Sequence, residues 1–304
     1  MSKPIYVEIS IRGSLDELWR RTQTPDLHER WDLRFTHIKY LPKFDGEPQR
    51  FLYETRLGYG LKIAGHGESV GERSFNGQTS SALQFWSDDF KSLIISGSGY
   101  WKYIPTQDGA IQFLTLYDYQ TRWGFVGKLI DSAVFRPLIG WATAWSFDRL
   151  RHWIERDIDP TLSALRAATD ACARLSLAFI WMYQGAIPKL LVRDQWEIEL
   201  AREAFPTFQA NASTLVLIAG CVEIVVGLTY LIFWRSRSIY AVGACALFAV
   251  TLPALFTSPR LFTTAFNPTT LCVAMFALSL LGWIACRNLP RAGRCKRVKP
   301  GGIS

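Results

Sequence analysis

Histidine is scarce and scattered in this sequence, four residues in all: His28, His37, His66 and His152. The six cysteines include no CxxC and no Cys/His ligand spacing, which argues against a zinc or iron–sulfur centre. Cys172, Cys221, Cys245, Cys272 and Cys286 lie in or beside apolar runs, and Cys295 in a basic tail; they read as small hydrophobes. HExxH, GxSxG and GxxxxGK[ST] are all missing. Gly65-His66-Gly67-Glu68…Gly71 has the wrong spacing for a dinucleotide loop and falls among strands, not at a strand-to-helix turn. No metal site is expected, and no cofactor is assigned. The amino terminus lacks the apolar core of a secretory leader, so export of the first half is not expected.

What is present divides the chain of 304 residues in two. Up to Thr169 there are 21 Lys/Arg against 20 Asp/Glu; from Asp170 onward there are 13 against 6. Nearly all of the net charge of +8 therefore accompanies the hydrophobic half. A basic excess beside long apolar runs points to a membrane surface and not to nucleic acid.

Four runs have the length of a bilayer crossing: about 171–192, 212–234, 239–256 and 268–286. The last opens on Asn267-Pro268, an N-cap followed by proline at the first helical position. The first departs most from a plain apolar run, since it holds Arg174, Gln184, Gly185, Pro188 and Lys189. With four spans, eight basic residues (Arg235, Arg237 and six in the tail) fall on one side, against Arg193, Arg202 and Arg260 on the other. The positive-inside rule then places both termini in the cytoplasm. Between the first two spans, QWEIELAREAF reads as a short helix, interfacial or simply solvated.

The first half alternates as strands should: IYVEISIRGS, then THIKYLP, QRFLYETRLG, IAGHGESVGERS, SSALQFWSD, SLIISGSGYWKYIP and AIQFLTLYDYQTRW. Ser14 and Glu17 form a capping box before LDELWRRT, and Pro25 opens a second short helix. A helix over Val126–Asp157 closes the domain, with a kink expected at Pro137. This is an α+β layout, an antiparallel sheet with one long C-terminal helix. If the helix crosses a concave sheet, a cavity opens between them, with His66, Trp86, Trp101, Trp123, Trp141 and Trp145 as candidate lining. Ordinary core packing explains the same tryptophans, and for His66 a satisfied or solvated histidine is the preferred reading over an acid–base group.

The order of elements over residues 4–158, with Trp19…Thr24-Pro25-Asp26-Leu27…Trp31-Asp32 and the ending Leu150…Trp153-Ile154-Glu155, resembles the helix-grip fold of the SRPBCC superfamily (START domains and polyketide cyclases). That resemblance implies a hydrophobic ligand cavity and no particular reaction. In the second half, Arg174-Leu175-Ser176-Leu177…Tyr183-Gln184-Gly185…Pro188-Lys189-Leu190-Leu191 and Gly220…Glu223-Ile224…Gly227-Leu228…Leu231 are similar to the DoxX-like four-helix membrane proteins. Some members of that family are subunits of quinone-linked redox systems.

The expected organisation is a helix-grip domain over 1–160, an all-α four-helix transmembrane bundle over 168–290 and a basic cytoplasmic tail over 291–304. Arg174, Gln184, Lys189 and Glu223 are the intramembrane polar candidates. A mid-span carboxylate costs about 2.5–3.5 kcal/mol to insert, so Glu223 must be paired, protonated or facing a cavity. Depth along the helices places it opposite Gln184, with Arg174 snorkelling to the headgroups. The expected function is non-enzymatic: a membrane-anchored domain holding a lipid or other hydrophobic small molecule, which the bundle anchors or exchanges. The alternatives are cyclase-type chemistry in the cavity or a subunit of a quinone-linked membrane redox complex. The tail is expected to meet anionic lipid or only to orient the last span, and an oligomeric or redox partner stays open.

Overall fold

The computed structural model describes residues 3–300 apart from 59, 76, 258–261 and 264–266. The chain separates into two compact units, Met1–Ser163 with Pro290–Ser304, and Ala164–Leu289. Each is described by itself.

In the first unit seven strands form one antiparallel sheet in the order β1-β7-β6-β5-β4-β3-β2. They are β1 (Ile5–Arg12), β2 (His37–Tyr40), β3 (Arg50–Gly58), β4 (Leu61–Phe75), β5 (Gln78–Trp86), β6 (Ile94–Pro105) and β7 (Ala110–Thr121). Strands β2 to β7 are a meander, and β1 returns to pair with β7 from Ile5↔Tyr117 to Arg12↔Ala110. Two short helices, α1 (Leu15–Gln23) and α2 (Pro25–Trp31), connect β1 to β2. The Ser14 side chain caps α1 by accepting from the Glu17 amide at 3.2 Å. The Glu17 carboxylate turns to Arg20 and Arg21 and does not close the box.

The closing helix is broken where proline requires it. Helix α3 (Gly124–Ile130) widens into a π-helical turn at Asp131–Phe135 and resumes as α4 (Arg136–Arg156). Pro137 offers no N–H and its ring crowds the preceding turn, so the ladder opens just before it. The buried Asp131 stabilises the opening by accepting from Tyr119 Oη at 2.6 Å and Arg136 Nε at 2.8 Å. Thr143, Phe147 and Leu150 form the face of α4 that meets the sheet, with Phe147 stacked 4.5 Å from Phe113 of β7. Trp31, Trp101, Phe113, Phe147 and Leu150 are buried there, each large apolar side chain stabilising by about 1.5–3 kcal/mol.

The basic tail belongs to this unit. The Glu8 amide donates to the Lys296 carbonyl and the Lys296 amide to the Glu8 carbonyl, both at 2.9 Å, so the tail pairs with the free edge of β1. The Arg291 amide donates to Asp148 of α4 at 2.7 Å, and Ala292 and Cys295 are buried. Burial raises the Cys295 thiol pKa to about 12. Capping by the tail keeps the edge of β1 from pairing with other chains.

The second unit is helical: α5 from Pro160 to Gln184, a π-helical continuation over Gly185–Val192, α6 (Gln195–Ala204), α7 (Ala212–Ile232), α8 (Ser238–Thr257) and α9 (Pro268–Ala285). Among the described residues three stretches are long and apolar enough to cross a bilayer: Pro160–Val192, Pro206–Ile232 and Pro268–Ala285. A shorter apolar stretch, Ser238–Ala249, lies in α8. The first stretch starts well before Ala171, because Pro160 nucleates the helix directly after α4.

Candidate functional site

The face of the sheet turned toward α4 is covered unevenly. On the β1, β7 and β6 side, Val7, Ile11, Phe113 and Tyr103 are fully buried. On the β3 to β5 side, Phe51, Tyr53, Leu83 and Phe85 remain half-buried. Their rings lie flat on glycines of the neighbouring strands: a Cβ on Gly65 would come 2.3 Å from the Tyr53 ring, and one on Gly67 2.3 Å from that of Phe51. Gly97 bears the same relation to Phe85. The glycines thus let the aromatic floor fold down, and this side of the face stays partly open.

One end of this floor holds a buried ionic cluster. His28 and Asp32, four residues apart across the end of α2, share a face, and the chain turns so that Arg34 folds back on Asp32. Arg34 is bidentate, Nε to Oδ1 at 2.9 Å and Nη2 to Oδ2 at 2.6 Å. His28 Nε2 lies 3.0 Å from Oδ2. Burial alone would raise the Asp32 pKa, but Arg34, helped by His28, holds it well below the carboxylate range. Rings enclose the cluster: Trp31, Phe35 and Trp101 lie 5.0–5.3 Å from His28. The Arg34 guanidinium sits 5.4 Å from the Tyr117 ring, whose hydroxyl meets Thr143 of α4 at 2.9 Å. Burial pushes the Tyr53 phenol up to about 12, so it stays a neutral donor. Together these groups make an apolar floor ending in a charge-balanced, aromatic-walled polar corner. A molecule with a hydrophobic body and one polar end matches it.

Of the tryptophans expected to line a cavity, only Trp101 is on this face. Trp141 and Trp145 stack on each other at 6.4 Å but stand about 200° around α4 from Thr143, away from the sheet. Trp123 takes a left-handed conformation (φ 65°) at the start of α3 and is exposed. His66 and Trp86 stack at 5.8 Å on the outer face, because the strand alternation points Gly65 and Gly67 inward. A recess of about 380 Å³ on that outer face is lined by Val70, Ala82, Gln84, Tyr100 and Leu116. Sequence reasoning missed His28 and Arg34. The signal was the i, i+4 spacing of His28 and Asp32 beside Trp31, within a segment singled out for its resemblance alone.

In the helical unit the polar candidates are placed differently from expectation. Arg174 does not snorkel; it is 1% exposed and held by Asp170 at 3.1 Å. It also donates to the Phe233 and Ser236 carbonyls and stacks on Tyr240 at 4.8 Å. Glu223 pairs with Lys189 at 3.2 Å and not with the Gln184 side chain. The reason is the π-helical turn after Gln184, which turns Lys189 toward α7 while its Nζ also reaches Glu197 at 3.2 Å. Gly185 and Gly220 allow the approach: a Cβ on Gly185 would stand 2.4 Å from the Gly220 carbonyl oxygen.

Residues 178–280 match the DoxX-like family. Over 184 residues the chain is 50% identical to the uncharacterized membrane protein YndG of Bacillus subtilis (strain 168), covering 60% of this chain and 69% of that protein. The chain belongs to the YndG family. Like YndG it is a membrane protein, here with a DoxX-like second half and a helix-grip first half. Solved structures similar to the first half include the ZhuI aromatase/cyclase of Streptomyces sp. R1128 (10% identity, TM-score 0.38, 51% of this chain and 97% of that one). Others are a STAR-related lipid transfer protein fragment from Xanthomonas axonopodis (12%, 0.37, 50% and 85%) and a START superfamily protein from Mycobacterium smegmatis (10%, 0.37, 52% and 100%). At such scores these likenesses carry no functional argument; the sheet order and α4 are the basis for the fold.

Proposed function

We propose that this chain is a membrane-anchored binding protein whose helix-grip domain holds a hydrophobic small molecule with one polar end. The observation that carries this reading is the apolar floor of Phe51, Tyr53, Leu83 and Phe85, left partly uncovered and ending at Arg34. Both Asp32 oxygens are occupied by Arg34 and His28, so the carboxylate is not a free general base. This favours binding over cavity chemistry. The lipid-transfer and cyclase names of the structural neighbours belong to those proteins and are compatible with either class. Native mass spectrometry of the detergent-purified full chain is the test. A co-purified apolar molecule, lost in Leu83→Trp, supports the proposal; an empty protein that also takes up no added fatty acid refutes it.

The bundle crosses the bilayer four times in this reading, with both ends on the cytoplasmic side. The pairing of Lys296 with β1 supports an even number of crossings, since the chain leaves the first unit in the first turn of α5 and rejoins it after α9. That makes α8 the fourth crossing, beside the three long apolar stretches. The lysines and arginines of the α7–α8 loop and of the tail then share one side. A reporter fused after Ser304 is expected to work only in the cytoplasm.

A further inference from the structure

The α3–α4 segment carries an apolar stripe that nothing in the first unit covers. Phe125 is 80% exposed, Val134 60%, Val126 and Leu129 58%, and Leu138 55%, with Ile130 and the flanking Trp123 and Trp141 also open. The stripe continues onto the adjoining loop, where Phe90 is 75% exposed. That loop is fastened to the start of α3, since the Arg122 amide donates to the Leu93 carbonyl and its guanidinium to the Ser87 and Ser92 carbonyls. This is not the ligand face. Leu138 and Trp141 stand on the side of α4 opposite Thr143 and Phe147, which meet the sheet.

A run of this extent is unusual on a surface that water alone must cover. Its composition narrows the occupant. Between Trp123 and Trp141 the one acid, Asp131, is buried against Tyr119 and Arg136, which leaves Lys128 as the exposed charge. Aliphatic and phenylalanine side chains bounded by tryptophans, with a lysine and, between Trp123 and Trp141, no exposed carboxylate, match the headgroup–acyl boundary of a bilayer, and Asp88 on the Phe90 loop is the exposed acid beside it. The chain also supplies that bilayer: three residues, Asp157 to Asp159, separate α4 from α5, whose helix runs on into the first long apolar stretch. The stripe ends fifteen residues before the end of α4, so α4 and this short link together keep it near a membrane surface.

We infer that Phe90 and the exposed face of Trp123–Trp141 are a lipid-contacting surface that rests in the boundary of the bilayer the same chain spans. The surface is independent of what the aromatic floor holds. The test is photo-crosslinking of the full chain in nanodiscs of phosphatidylcholine and phosphatidylglycerol. p-Benzoylphenylalanine is placed singly at Phe125, Leu129 and Val134, with Arg73 on the exposed part of β4 as the control. These positions are open, so the substitutions leave the core intact. Lipid-mass adducts at the three stripe positions and not at Arg73 are the expected result. Cross-links to another segment of the chain or to a second copy would overturn the inference, as would photolysis giving only solvent-quenched product.

Discussion

Two buried arginine–aspartate pairs, one in each unit, are built differently, and the contrast separates a site from a staple. In the helical unit Arg174 spends its donors on Asp170 and on two carbonyls of the α7–α8 connection, with Tyr240 beneath it. Its neighbours are helix and loop on every side, and the network pins a turn. In the sheet unit Arg34 is bidentate to Asp32 and also bonds the Tyr117 hydroxyl, with the rings of Phe35 and Tyr117 beside it. Beside it lies a half-buried apolar floor. The Arg34 pair thus borders the floor that the proposed ligand would occupy, whereas the Arg174 pair borders none.

Breaking the Asp32 pair should have the largest effect. Asp32→Ala leaves Arg34 buried without its partner, an arrangement that costs about 3–5 kcal/mol. Thermal unfolding of the full chain in detergent, followed by tryptophan fluorescence, should show the sheet unit melting earlier while the helical unit is unchanged. A simultaneous loss of both units would mean the two pairs are not separable. The same pair sets an acid limit. The folded Asp32 pKa lies below its unfolded value, near 3.9, so its stabilisation is complete above about pH 4 and lost as the pH falls further. Asp32→Asn should flatten that acid limb of the stability curve.

Next in size is the tail. Cys295→Glu forces a carboxylate into the contact between the tail and α4, and should unseat the pairing at β1. The two Glu8–Lys296 backbone bonds contribute about 1 kcal/mol each, so a loss of roughly 2 kcal/mol is expected for the sheet unit. Hydrogen exchange should then rise along β1. Unchanged protection there would show that the tail is incidental.

The smallest effect belongs to the other intramembrane pair. Glu223→Gln should be tolerated, because Lys189 keeps Glu197 and the amide keeps a hydrogen bond. Lys189→Met should cost about 0.6–2 kcal/mol, the range of an interhelical polar contact in a membrane. A Glu223→Gln protein that folds normally yet loses a cellular phenotype would move the pair from the staple class to the functional one.

The strands, their order of polarity and the helix kink were legible because alternation, turn residues and Pro137 act locally. The sheet-pairing role of the tail was not, since nothing in RNLPRAGRCKRVKP signals a strand, and Glu8 lies nearly the whole chain away. Trp141 and Trp145 were rightly placed on one helical face, but spacing cannot say which way that face turns. For Glu223, counting depth at 1.5 Å per residue assumed an ideal α-helix, and the π-helical turn at Gly185–Val192 changed which side chain it meets. Arg34 joins Asp32 through a turn that no periodicity describes, whereas the i, i+4 spacing of His28 and Asp32 was readable.

The central claim is that the aromatic floor of the sheet unit holds an apolar molecule at Arg34. Photolabelling of the full chain in nanodiscs with a diazirine-bearing fatty acid, followed by peptide mapping, tests it most directly. The account predicts adducts on the segments carrying Phe51, Tyr53, Leu83 and Phe85, displaced by unlabelled fatty acid and reduced in Arg34→Gln. Adducts confined to α5, α7, α8 and α9, unaffected by competitor, would contradict it.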